Sequence, residues 1–209
     1  MALDTNLLVG RLPTMGSELS PKAAEIAACA RSLIALRGYN GFSYADIAEA
    51  VGITKASIHH HFPSKAALVR SVVAAYRAEA AAGLAALATQ VADPADRLQA
   101  WTRFWQDCLR ERTLPFCICA MLATEMPTIP DDVGVEVRGH FDDLSHWLAA
   151  TLADGKRAGQ FALHGTPAAE ARGFMAAIHG AMVSARAYDD AAVFTSISQG
   201  LLARLATRH

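Results

Sequence analysis

The sequence predicts an all-α chain. Apolar residues recur at intervals of three and four along most of its 209 residues, and no stretch of any length alternates apolar with polar as a strand would. The chain is 53% apolar and rich in alanine, the residue that costs least in a helix. Between the periodic stretches stand Ser, Thr or Asp where a helix would begin, and Gly or Pro where it would stop.

Residues 1–19 mix Gly, Pro and isolated apolar residues without a period, and read as a flexible tail in which Met15 is an alternative start. Ser20 then caps a first helix, with Pro21 at the opening position that suits its fixed φ. Ile26, Ala27, Ala30, Leu33 and Ile34 form its apolar stripe, and Gly38 ends it. Ser43 caps a second helix, with Asp46 three residues on at the capping-box position and Ala45, Ile47, Ala48 and Val51 as its packing residues. Gly52 supplies the turn, since glycine takes positive φ cheaply. Thr54 caps a third helix reaching about His60. Its first turn, Lys55-Ala56-Ser57, offers small or polar side chains, while Ile58 and Phe62 point toward a core. Pro63 stops that helix, and Ser64 caps a long linking helix over about 64–90.

Asp93-Pro94 opens the next helix, in which Leu98, Trp101, Phe104, Trp105, Cys108 and Leu109 recur at helical spacing to about Arg112. After Pro115 a short helix carries Phe116 to Met126, and Pro127 and Pro130 break the chain again. A long helix runs from Asp131 to about Leu152, with Val133, Val137, Phe141, Leu144, Leu148 and Leu152 on or near one side. Two last helices cover about 168–187 and 191–206.

The second and third helices, two short helices joined by the tight turn at Gly52 and followed by the start of the linking helix, make a helix-turn-helix unit, which places one exposed helix in the major groove of DNA. Net charge is only −1. Residues 20–77, however, hold seven Lys/Arg against three acids, whereas 78–209 hold eleven against fifteen. A basic head on an acidic body orients on a polyanion. Arg11 in the tail is a candidate for a minor-groove arm.

GITKASIHHHFPSKAAL, residues 52–68, resembles the recognition segment of the TetR/AcrR family of repressors, whose usual form is close to G-(V/I)-(S/T)-x-x-(S/T)-(L/I)-Y-x-(H/Y)-F-x-(S/N)-K-x-x-L. FSYADIAEAVG, residues 42–52, resembles that family's (T/S)-(T/V)-x-x-I-A-x-x-(A/V)-G. The likeness runs without a gap from Pro21 to about Tyr76, and departs at His59, where tyrosine is usual. It implies base or groove contacts from Thr54, Lys55, Ala56 and Ser57, and phosphate contacts from Ser43, His59, His60 and Lys65. It also implies a DNA-binding domain over 20–68 and an effector-binding and dimerisation domain over 69–209. Two heads about 34 Å apart would read a palindromic operator on double-stranded DNA.

Three consecutive histidines diverge by about 100° per residue on a helix, so His59, His60 and His61 cannot converge on one ion. The sequence predicts no metal, no cofactor and no catalytic residue. No run approaches the roughly 20 apolar residues of a membrane span, and no signal peptide precedes the first helix. Four cysteines without such a signal point to free thiols in the cytoplasm.

Trp101, Phe104, Trp105, Met121, Trp147, Phe174, Met175 and Met182 are candidates to line an effector pocket, since aromatic and Met side chains make adaptable apolar walls. His179 is either its polar anchor or a satisfied core histidine. Cys117 belongs to the same candidate set. FCICAMLATEM, residues 116–126, resembles the G-C-L-(x)3-L-(A/G)-x-E segment of a TetR subgroup that includes NemR-like electrophile-sensing and AcuR-like acrylate-responsive repressors, with Phe116 in place of the glycine. A thiol near a helix N-terminus is favoured as thiolate. Cys119 would lie about 200° around the same helix, straining a disulfide. Cys29, Cys108, Cys117 and Cys119 also read as small buried hydrophobes.

Gly173, Ala177, Gly180 and Ser184 form a small-residue ridge at spacings of four, three and four, and Phe194, Ile197, Leu201 and Leu205 follow on the last helix. The resemblance implies that these two helices pair with their copies in a homodimer; packing of the same faces within one chain is the alternative. The expected function is a dimeric repressor released from its operator by a small apolar or amphipathic effector. A repressor switched covalently at Cys117 is the second reading. A cysteine-dependent enzyme is the third, and the sequence shows no dedicated Cys-His-Asp arrangement for it.

Overall fold

A computed structural model describes residues 19–207. Among these the chain forms α1 (Pro21–Arg37), α2 (Tyr44–Val51), α3 (Lys55–His61), α4 (Lys65–Gln90), α5 (Pro94–Glu111), α6 (Ile118–Ala123), α7 (Asp131–Arg157), α8 (Pro167–Tyr188) and α9 (Ala191–Leu205). No strand is present among the described residues, apart from an isolated antiparallel bridge between Phe161 and Ala206. The tail residues Arg11 and Met15 lie outside the described residues.

The helix ends follow the capping chemistry expected of the sequence. Ser20 accepts from the Ala23 N–H, and Pro21 opens α1. Ser43 and Asp46 form a full capping box on α2. Gly52 closes α2 in the left-handed region at φ 68°, a conformation that disfavours a side chain. Thr54 caps α3 by accepting from the Ser57 N–H. Ser64 does the same for α4 through Ala67, and Asp93 for α5 through Ala95 and Asp96. Each such cap stabilises its helix by about 1 kcal/mol.

The described chain packs as two units, one of residues 19–80 with 114–141 and the other of 81–113 with 142–207. This packing division differs from the functional division drawn at residue 68 in the sequence, because residues 114–141 pack with the head.

In the first unit, Ile26 and Ile34 of α1, Ile47 of α2, Ile58 of α3 and Leu68 of α4 are fully buried and make the core of the three-helix head. Burying each contributes roughly 1.5–3 kcal/mol. Helix α6 packs on α1, burying Ile118 and Leu122. In the second unit α9 packs on α8 and α5, with Leu98, Ile178, Met182 and Phe194 fully buried, as are Leu148 and Leu152 of α7.

By length and composition alone α4 is apolar enough to cross a membrane. It holds no uninterrupted apolar run of that length, since Arg70, Arg77 and Glu79 break it. Its first turns bury Leu68, Val69, Val72, Val73 and Tyr76. Arg70 pairs with Asp132 at 3.6 Å, and Arg77 with Glu136 at 3.4 Å. These contacts make it a helix of the folded domain.

Candidate functional site

The head presents α3 by burying one side of it. Ile58 and Phe62 turn inward, while Lys55 and Ala56 stay exposed and Ser57 is half-buried. The hydroxyl oxygen of Thr54 holds the first turn of α3, so its side chain is fixed beside these residues. Four expected groove contacts therefore form one short outward surface.

The expected phosphate contacts are held in different ways. The Ser43 hydroxyl donates to Asp46 Oδ2 at 2.8 Å as part of the capping box. These bonds from the Ser43 hydroxyl and backbone N–H hold the Asp46 carboxyl below its ordinary range. His59 is exposed, with Nδ1 3.3 Å from the Pro63 carbonyl oxygen and its ring edge-on to Tyr44 at 4.8 Å. Tyr44 in turn donates to the Phe62 carbonyl at 3.0 Å, and burial pushes its phenol up to about 12. His60 is exposed and stacks edge-on with His61 at 5.2 Å.

Lys65 is held by the head itself. Its ammonium donates to the Phe42 carbonyl and lies 4.3 Å from the Phe42 ring centroid and 4.6 Å from that of Tyr39. Burial lowers its pKa, opposed by the nearby carboxylates of Glu125 and Asp46. In this structure two ring faces and a carbonyl take the place of water around the ammonium.

The Cys117 region holds a buried polar cluster. The Cys117 sulfur is 1% exposed, accepts from the Tyr76 hydroxyl at 3.4 Å and lies 3.9 Å from His140 Nε2. The Tyr76 and His140 rings are 5.3 Å apart, and the Arg31 guanidinium lies 4.9 Å over Tyr76 while pairing with Glu79 at 2.6 Å. Burial, with the Cys117 and Cys119 thiols adding to it, raises the Tyr76 phenol well above its ordinary range. Burial likewise raises Cys119. Tyr76 and His140 were missed by the sequence reading, since they stand far from Cys117 in the chain and in no motif.

One geometric expectation is corrected. Cys117 stands outside α6 as its N-cap, with extended backbone at φ −66° and ψ 118°. The helical angle of 200° to Cys119 therefore does not apply.

The expected pocket residues fall into separate groups. Trp101, Trp147 and Phe174 cluster in the second unit, with Trp101 6.2 Å from Trp147 and 6.3 Å from Phe174. The Trp147 indole N–H donates to the Leu84 carbonyl at 3.0 Å. Trp105 and Met182 are buried there, and Phe104, Met175 and His179 are half-buried. Cys117 and Met121 belong to the first unit and are not part of this cluster. A shallow open groove of about 850 Å³ lies between α5 and α9, lined by Gln106, Arg110, Asp190, Thr195, Ser196 and Gln199 among others, and by none of the expected aromatic residues.

The ridge on α8 is open. A Cβ added at Gly173 or Gly180 would meet nothing within 4 Å. Val183 is 54% exposed and Ile197 is 36% exposed, while Ala177, Ser184 and Leu201 are half-buried. Phe194 and Leu205 differ: Phe194 is fully buried and Leu205 nearly so, within their own chain. A residue on a helix that packs against α5 and α8 fills that interior first.

Comparison with known proteins matches residues 26–72 to the family model of bacterial regulatory proteins of the tetR family, and residues 94–201 to a tetracyclin repressor-like C-terminal domain. Among solved structures, the chain is similar to a TetR-family transcriptional regulator from Agrobacterium tumefaciens, at 51% identity and a TM-score of 0.87, over 89% of this chain and 98% of that one. It shares its fold with reduced E. coli NemR, at 18% identity and a TM-score of 0.77 over 90% and 99% of the two chains. A regulator from Saccharomonospora viridis solved in complex with choline has the same fold, at 23% identity and a TM-score of 0.76 over 91% and 100%. No curated protein matches this chain.

Proposed function

This chain belongs to the TetR family of bacterial transcriptional regulators, and from that premise we propose that it is a dimeric cytoplasmic repressor, released from a palindromic operator by a small apolar or amphipathic effector. The observation that carries the DNA half is the short outward surface of α3, with Lys55 and Ala56 exposed on a head whose apolar side is fully buried. The observation that carries the effector half is the Trp101–Trp147–Phe174 cluster, three large rings in one place with a satisfied indole N–H. Rings in that arrangement suit an apolar guest. The choline held by the regulator from Saccharomonospora viridis is a small organic cation, a guest that aromatic faces also suit.

The open ridge of Gly173, Gly180, Val183 and Ile197 supports self-association through α8 and α9. Dimerisation would bring two heads to one operator, which a single short reading helix needs for tight binding.

A covalent switch at Cys117 is the second reading, favoured by the polar contacts of its sulfur with Tyr76 and His140. Its near-complete burial weighs against it, because reagents reach a sealed thiol slowly. The same burial weighs against an enzyme built on Cys117 and His140, which together would have to meet a substrate.

The test is a gel-shift experiment on duplex DNA flanking the chain's own gene, with and without amphipathic compounds and, separately, a thiol-reactive electrophile. Release by the amphiphile alone supports the first reading. Release by the electrophile, lost in Cys117→Ser, supports the second. Retention of DNA under both leaves neither standing.

A further inference from the structure

The segment after α6 makes a contact with the head that the DNA-binding reading does not use. The Glu125 carboxylate accepts the backbone N–H of Tyr39 at 2.5 Å, the backbone N–H of Asn40 at 3.0 Å and the Asn40 side-chain amide at 3.1 Å. The same amide donates to Thr128 at 3.0 Å. Glu125 is itself held in place, since its carbonyl accepts from the N–H groups of Thr128 and Ile129 at 2.8 and 3.1 Å. Gly38 completes the fit: its φ is +74°, and a Cβ there would overlap the carboxylate. An anion meeting three donors at once is a charge-assisted clamp, each bond about twice as strong as a neutral one.

The clamped residues are the connection from α1 to α2. Two residues beyond Asn40 stands Phe42, whose carbonyl takes the Lys65 ammonium, and then Ser43, the cap of α2. Helix α2 packs on α3, so a shift of this connection is passed to the reading surface. At the other end of the same segment, Cys117 touches Tyr76 of α4 and His140 of α7. Between the ends, Ile118, Cys119 and Leu122 are fully buried, so α6 is closely packed along this segment. Eight residues separate Cys117 from Glu125, about 12 Å if wholly helical.

We propose that Glu125 is the positioning residue that holds the connection between α1 and α2, so that the placement of α2, and through it of α3, depends on this clamp. The proposal rests on the reading of α3 as the DNA-contacting helix. Glu125→Gln keeps the shape of the side chain but removes its charge and turns an NH₂ group toward N–H donors.

The experiment is amide hydrogen exchange on the full-length wild type, Glu125→Gln and Asn40→Ala, paired with affinity for a duplex selected from a random pool by the wild-type protein. In Glu125→Gln the Tyr39 and Asn40 amides should exchange about tenfold to a hundredfold faster, from the loss of charged hydrogen bonds. The amides of α2 should also quicken, and duplex affinity should fall about fivefold or more. Asn40→Ala, which keeps both backbone bonds, should give a smaller change in the same direction and stands as the test if Glu125→Gln does not fold. Faster exchange confined to residues 39 and 40, with α2 protection and duplex affinity unchanged, would reduce the clamp to a local contact and overturn the proposal. A wild type that selects no duplex would defeat the DNA-binding reading instead, while the spread of exchange into α2 would still decide the clamp.

Discussion

The Tyr76 hydroxyl donates to the Cys117 sulfur at 3.4 Å, joining α4 to the cap of α6 inside a buried cluster. A phenol raised above its ordinary range stays protonated as a donor through neutral pH, and the sulfur it serves is shut away from solvent.

Thiol labelling should follow this burial. Cys29 is half-buried, whereas Cys108, Cys117 and Cys119 are buried. Burial also pushes Cys108 up to about 11. Iodoacetamide at pH 7.5, followed by peptide mass spectrometry, should modify Cys29 first and the other three only as the chain opens. Prompt labelling of Cys117 ahead of Cys29 would restore the covalent switch as the leading reading.

Two substitutions on the last helices should separate fold from self-association. Phe194→Ala empties a fully buried site and should cost about 3–5 kcal/mol, read as a large fall in Tm. At Gly180 a Cβ would meet nothing within 4 Å, so Gly180→Leu starts from open space, and leucine suits a helix better than glycine. Its Tm in dilute solution should hold or rise while sedimentation shows the dimer lost. A Gly180→Leu protein that remains dimeric would move the interface away from this ridge.

Salt should report the reading surface. Lys55 is exposed, so Lys55→Ala should leave the unfolding free energy within about 0.5 kcal/mol of wild type. The slope of log affinity against log salt should shallow by about 1 if the ammonium meets a phosphate. Thr54→Ala should instead lower both Tm and affinity, because its oxygen caps α3. An unchanged slope in Lys55→Ala would take Lys55 off the phosphate backbone.

Acid should loosen the head through Asp46. Its carboxyl is held below the ordinary range by the Ser43 hydroxyl and N–H, so the folded state binds its proton less readily than the unfolded chain. The stabilisation is complete above the unfolded value of about 3.9 and fades as pH falls through the lower folded value. Asp46→Asn should therefore flatten the pH dependence of Tm below about pH 4.5 and leave its shape at pH 7 unaltered. Parallel curves for the two proteins would place the acid sensitivity elsewhere.

Local chemistry made much of the fold readable. Ser20, Ser43, Thr54, Ser64 and Asp93 all cap the helices that follow them, because a cap needs only a side-chain oxygen and an N–H two or three residues away. Ile58 and Phe62 turned inward as helical spacing requires. Lys65 was less legible, since the rings of Tyr39 and Phe42 that hold it lie more than twenty residues upstream. Phe194 stood on the expected stripe, but periodicity cannot tell a face that meets its own chain from one that meets a copy.

The sequence alone was enough for an all-α chain, for a helix-turn-helix with an exposed first turn on its second helix, and for the family, because each rests on spacing along one stretch. Which partners meet across the chain came from the packing of the helices. It placed Glu125 on the connection before α2, set Tyr76 and His140 against Cys117, and assigned Cys117 to a different packing unit from Trp101. Such contacts join residues 23 to 86 positions apart, and their geometry depends on how several helices pack at once, which no local pattern records.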